Sequence, residues 1–180
     1  MRPGGGKAKG SQFERDIARR LSLWWSGGET ENVFWRSPSS GMMKKEGMAG
    51  DISALHGGDS FIDFIFCELK YYKDVDYTSW LTKKTACKVF EWFAKAEEEC
   101  DQVGSTHVWL IVKANRHNPV IVVSHQFIKD AVAVAGRWLE SLPSIRLQTG
   151  MGDSLSVFDL ESVLDLLDPV AVKEWGTKGG

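Results

Sequence analysis

The stretch FIDFIFCELKYY, residues 61–72, constrains the fold more than any other part of the chain. Its aromatic and β-branched residues read as a strand set into a hydrophobic core. Yet Glu68 and Lys70 stand near its end, two residues apart. A strand has a side-chain period of two, so both face the same side as Ile62, Phe64 and Phe66. An apolar face that turns charged at one end is either a cross-strand ion pair at a sheet edge or a site.

The surrounding pattern places that strand in a mixed α/β domain. Ser11 caps a helix over 12–26, which Gly27-Gly28 stops. A short strand is predicted over 32–36, followed by the irregular polar loop SPSSGMMKKEGMAG. Asp51 to His56 reads as a second strand, and Gly57-Gly58-Asp59 as the turn of a hairpin returning along 61–70. A long helix over 78–102 ends at Gly104, and strands at 107–113 and 120–124 flank the turn ANRHNP. Helices at 125–140 and near 158–167 complete the chain. The expected organisation is a flexible basic tail (1–10), a core (11–124) and a C-terminal helical extension of the same domain (125–180).

Charge is distributed unevenly within a net charge of −2. Arg2, Lys7, Lys9, Arg15, Arg19 and Arg20 outweigh Glu14 and Asp16 at the front, whereas acids dominate residues 151–180. A near-neutral total can therefore hide a local positive face. No apolar run approaches the roughly 18 residues of a membrane span, and MRPGGGKAKGSQ lacks the apolar core of a secretory signal. Cys67, Cys87 and Cys100 form no CxxC pair, which points to reduced thiols in a cytoplasm, a host's if the chain is viral. His107, His117 and His125 lack zinc spacing, and GGGK lacks the strand that precedes a phosphate-binding loop. Trp24, Trp92 and Trp109 fall on apolar faces; Trp35, beside the Arg-Ser loop, is the tryptophan placed to meet a nucleic acid.

Chemistry can be placed at four residues. On a helical wheel of about 100° per residue, Phe13, Ile17, Leu21, Trp24 and Trp25 form one apolar arc, and Glu14 lies inside it. A carboxylate facing a core needs an Arg, a hydrogen bond or a metal. Asp51 opens its strand, and the expected hairpin makes it a neighbour of Glu68 and Lys70. Clustered carboxylates hold hard divalent cations through oxygen. A nearby ammonium can orient water or stabilise charge on a phosphate, which together suit phosphodiester hydrolysis.

The order Glu14, then Gly50-Asp51, then Glu68-Leu69-Lys70 resembles the PD-(D/E)xK nuclease superfamily. GSQFERDIARRL with FWRSPSSG and GDISAL looks, more narrowly, like the archaeal-type Holliday junction resolvases. The resemblance covers residues 10–70, is consistent with 78–113, and leaves 125–180 without a counterpart. It implies a restriction-endonuclease-like α/β core: helix, mixed central β-sheet, helix. It also implies Glu14, Asp51 and Glu68 as ligands of Mg²⁺ (with Mn²⁺ substituting) and Lys70 as the water-activating or charge-stabilising group. Arg36, Ser37, Ser39, Ser40, Lys44 and Lys45 would meet phosphates, with Lys7, Lys9, Arg15 and Lys83 adding DNA contacts. The implied activity is an endodeoxyribonuclease that resolves branched DNA in recombination and repair, as a homodimer making two symmetric cuts. A restriction-like, repair or phage DNA-processing nuclease, or a non-catalytic DNA-binding module, are the alternatives. The chain departs from the pattern in having Gly50 rather than Pro before Asp51. It also has no clear glutamine on the helix after Lys70, where Lys83, Lys84 or Lys88 would have to serve.

Overall fold

The structure, a computed structural model, describes residues 5–37, 48–54, 57–73, 88–135, 138–148 and 154–178. Helix α1 (Gly5–Trp25) buries the arc expected of it: Phe13, Ile17, Ala18, Leu21, Trp24 and Trp25 are all in the core. It begins ahead of the expected cap at Ser11, and residues 5–10 are part of the helix. Ala8 and the two lysines around it favour a helix enough to carry the turn through Gly10.

Two sheets follow. The small one has the order β1-β3-β2, from β1 (Phe34–Arg36), β2 (Met48–Ala49) and β3 (Ile52–Ala54), all antiparallel. The large one combines β4 (Ile65–Tyr72), β5 (His107–Ala114), β6 (Val120–Ser124), β7 (Ile145–Gln148) and β8 (Ser154–Asp159) in the order β4-β5-β6-β8-β7. Strands β4 and β5 are parallel, and the other pairs are antiparallel. A parallel pair needs a crossover, here containing α3 (Lys88–Val103), whose Val89, Phe93, Ala96 and Cys100 face inward. The mixed sheet with flanking helices is compatible with the restriction-endonuclease-like core that the sequence implies.

The expected 51–70 hairpin does not form. Residues 59–64 make a short helix, α2 (Asp59–Phe64), and Gly57-Gly58 leads into it. Gly58 has a steric reason: a Cβ there would meet the Phe34 ring at 2.6 Å. The hairpin that does exist lies earlier. Ala49 pairs with Ile52, so Gly50-Asp51 is its two-residue turn, with Gly50 at φ 74°. Glycine at a positive φ in the first central position is the pattern that matches strand twist in such turns.

The C-terminal region was expected to be helical, and two of its segments are strands instead. β8 lies between β6 and β7, so this region completes the sheet. Its helices are α4 (His125–Ala135), α5 (Trp138–Ser141), α6 (Leu160–Leu166) and α7 (Pro169–Lys178). Trp24 Nε1 donates to Leu167 O at 2.7 Å, and Arg20 pairs with Glu161 at 2.6 Å and Asp165 at 3.5 Å. Part of the basic front is thus spent on the acidic C-terminal region. The joint is dense in aromatics: Trp24, Trp25, Phe34, Phe61, Trp109 and Phe127 form a chain of tilted and edge-on ring contacts. Trp24 and Trp109 are core residues as expected, and Trp92 is half-buried at the core's rim.

Candidate active site

Four side chains converge from three elements. Glu14 projects from α1, Asp51 from the β2–β3 turn, and Glu68 and Lys70 from β4. The turn is sewn to β4 by backbone and side chain together. Gly50 bridges Cys67 in parallel, Asp51 N–H donates to Cys67 O at 2.9 Å, and Leu69 N–H donates to Asp51 Oδ2 at 2.9 Å. Asp51 therefore reaches the Glu-x-Lys segment, though by a parallel contact rather than across a hairpin. Gly50 makes this approach possible. A Cβ at that position would lie 2.2 Å from Cys67 O, so no other residue type lets the turn sit against β4. Glycine in place of proline before Asp51 is a steric requirement of this chain.

The small sheet is locked behind the turn by hydroxyls. Ser37 N–H donates to Asp51 O at 2.9 Å, and its Oγ lies 2.7 Å from Ser53 Oγ. Ser22 bonds both ways between helix and strand: its Oγ donates to Ala18 O at 2.8 Å and accepts from Phe34 N–H at 2.8 Å. Ser22 and Ser53 were not singled out from the sequence. Buried serines within polar stretches carry no local signal of such a role.

Each remaining carboxylate holds a cation. Arg36 Nε donates to Glu14 Oε2, and Lys70 Nζ donates to Glu68 Oε1. Glu14 thus meets its burial cost through an Arg, one of the resolutions open to a carboxylate on that face. Among the described residues no Arg or Lys forms an ion pair with Asp51, which is only 7% exposed. Burial, then the charges of Glu68 and Glu14, push its carboxyl up to about 7, against the hydrogen bond from Leu69 and the attraction of Lys70. Burial alone would lower Lys70; its hydrogen bond to Glu68 and the charges of Glu68 and Asp51 outweigh that and raise it. Among the described residues, no three carboxylate, His or Cys side chains are arranged as a ready metal cage. Glu14 and Glu68 are instead turned onto Arg36 and Lys70.

The other predicted contacts divide three ways. Lys9 and Arg15 are exposed on α1, with Arg15 donating to Gln12 Oε1 at 3.3 Å. Ser37 is buried and engaged with Ser53. Ser39, Ser40, Lys44, Lys45 and Lys83 lie outside the described residues, as does the side chain of Lys7. Trp35 is 49% exposed on β1. Cys67 and Cys100 are free thiols, and burial pushes both up, Cys100 to about 12. Among the described residues, no helix is long and apolar enough to cross a membrane.

The family model described as "Phage putative PDDEXK endonuclease" matches residues 5–141, from the start of α1 through α5. Comparison with curated proteins and with solved structures finds no match. Nucleases of this superfamily use divalent metals on DNA. The matched span contains Glu14, Asp51, Glu68 and Lys70, on a fold compatible with the restriction-endonuclease-like core, and the chain belongs to this phage PD-(D/E)xK endonuclease family.

Proposed function

We propose that the chain is a Mg²⁺-dependent endodeoxyribonuclease that cuts branched DNA such as Holliday junctions, acting as a homodimer. The observation that carries the catalytic part is the docking of Asp51 against Glu68-Leu69-Lys70 through the Leu69 N–H. Glu14, Asp51 and Glu68 would hold the cation, Mg²⁺ or Mn²⁺ in its place. The donor set fits: hard oxygen ligands, and a buried Asp51 whose negative form is disfavoured by burial and by the charges of Glu68 and Glu14, which a cation would offset. When bound, the cation supplies Lewis acidity, lowering the pKa of a water and offsetting charge on the phosphate.

The protein's own groups do the rest. Lys70, kept charged by its carboxylate neighbours, can donate to a phosphate oxygen or orient the attacking water. Arg36 already faces Glu14. Once that carboxylate serves the cation, the guanidinium is available to a phosphate as a planar, multi-donor partner. Arg15 and Lys9 lie exposed on α1 for further backbone contacts, which position DNA without reading bases.

Support for a branched substrate and a two-fold dimer comes from the GSQFERDIARRL start and the Arg36-Ser37 segment, which resemble junction resolvases. Processing of phage DNA at other structures is the second reading, favoured by the family description. Both place the activity in the cytoplasm of an infected host. Cleavage rates on a four-way junction, a flap and a linear duplex with Mg²⁺ separate them. The leading reading expects the junction to be cut fastest, in paired symmetric nicks. Equal rates on all three would remove the branched specificity, and full activity in both Asp51→Asn and Lys70→Ala would remove the site.

A further inference from the structure

Tyr72 closes β4. The alternation that sets Glu68 and Lys70 on one side of the strand sets Tyr72 there too, one pleat (roughly 7 Å) past Lys70. The Tyr72 phenol lies within electrostatic reach of the Lys70 ammonium. Tyr72 is one of the few large apolar side chains that stay exposed among the described residues. Its ring is stacked on Trp92 of α3, with centroids 4.7 Å apart and planes 18° apart. The inward stripe of that helix is Val89, Phe93, Ala96 and Cys100, which leaves half-buried Trp92 at the rim, backing the tyrosine. A near-parallel pair contrasts with the tilted and edge-on contacts that fill the core.

A flat ring held in a fixed plane beside a phosphate-cutting site matches the face of a nucleobase. Base–aromatic stacking is strong, tolerant of sequence, and open only to a base that has left its own stack. In continuous duplex the bases next to the scissile phosphate are stacked on each other and cannot use it. We propose that the Tyr72–Trp92 pair is a platform for a nucleobase beside the scissile phosphate, so that the site takes DNA whose base stack is broken at the cut. This rests on reading Glu68 and Lys70 as the cleavage site, and it names the local structure of the substrate there.

The test measures binding by the full chain in EDTA, with short oligothymidine and a blunt duplex of equal length as probes. Wild type, Tyr72→Ala and Tyr72→Phe are compared. The ratio of single-strand to duplex affinity should fall about ten-fold in Tyr72→Ala and stay at the wild-type value in Tyr72→Phe, which keeps the ring. A strand carrying aminopurine should lose emission on binding to wild type and to Tyr72→Phe, and keep it with Tyr72→Ala. An unchanged ratio in Tyr72→Ala, or equal losses in both variants, would overturn the platform. Cleavage assays separate this from the reading beneath it. A wild type that cuts DNA while Tyr72→Ala keeps the ratio refutes the platform alone; a wild type that cuts no DNA refutes the nuclease.

Discussion

Replacing Asp51 with Asn should stabilise the metal-free protein at alkaline pH. In the folded state its carboxyl is held at about 7 against an ordinary value of 3.8. Between those values the folded chain keeps a proton that the unfolded chain has lost. A carboxyl raised in this way contributes stability that is full below about pH 4 and is lost as pH rises through 7. From pH 5 to pH 8 this single group removes roughly 2–3 kcal/mol, at 1.36 kcal/mol for each pH interval crossed. The amide of the Asp51→Asn variant would keep the acceptor for Leu69 N–H and carries no charge, so the variant lacks that slope. For a chain of this size the difference amounts to roughly 5–10 °C in Tm at pH 8, closing toward pH 5. His107, pushed down by burial against the pull of Asp130, runs in the opposite sense, but it is common to both proteins and cancels. Thermal unfolding in EDTA across pH 5–8 measures the difference. Saturating Mg²⁺ should then raise the wild-type Tm at pH 8 and leave the Asp51→Asn variant largely unmoved. Parallel Tm–pH curves in EDTA, or equal stabilisation of both by Mg²⁺, would refute the reasoning.

Other outcomes follow from the same geometry. Gly50→Ala forces a Cβ to 2.2 Å from Cys67 O at a positive φ; it should cost at least about 2 kcal/mol in denaturant unfolding and abolish cleavage. Lys70→Ala should keep divalent-ion binding by calorimetry while lowering the cleavage rate by about 10²–10³-fold, the usual loss for a charge-stabilising donor. A chain ending at residue 148 should fail to fold by circular dichroism, because it removes β8 from between β6 and β7. Arg36→Met should loosen Glu14 and reduce affinity for duplex DNA, with a shallower salt dependence by about one phosphate contact.

That Glu14, Asp51, Glu68 and Lys70 belong together as a candidate site was legible in the sequence; how the fold wires them together was less so. Glu14 could be found because the helical period is strict: one carboxylate inside the arc of Phe13, Ile17 and Leu21 stands out. Glu68 and Lys70 were legible for the same reason in period two. The route by which Asp51 reaches them was not. Two glycine-containing dipeptides, Gly50-Asp51 and Gly57-Gly58, both carry turn chemistry, and local propensity cannot say which one turns a hairpin. The deciding facts are non-local: Gly50 must touch Cys67 O, and Gly58 must clear the ring of Phe34. The C-terminal strands hid for a related reason. SLSVFD hides because its Ser-Leu-Ser-Val alternation lasts only four residues before Phe158 breaks it, and Ser156 is buried beside β6 and β7 rather than facing water. The run DLESVLDLL after it dominates the pattern as a helix, which it is from Leu160.

Diffraction from a crystal soaked in Mn²⁺ shows whether Glu14, Asp51 and Glu68 form one divalent-metal site. The expected result is an anomalous peak bound by Asp51 and Glu68, with Glu14 turned away from Arg36 toward the ion. A soaked crystal with Glu14 still on Arg36, Glu68 still on Lys70 and no peak at Asp51 would contradict it.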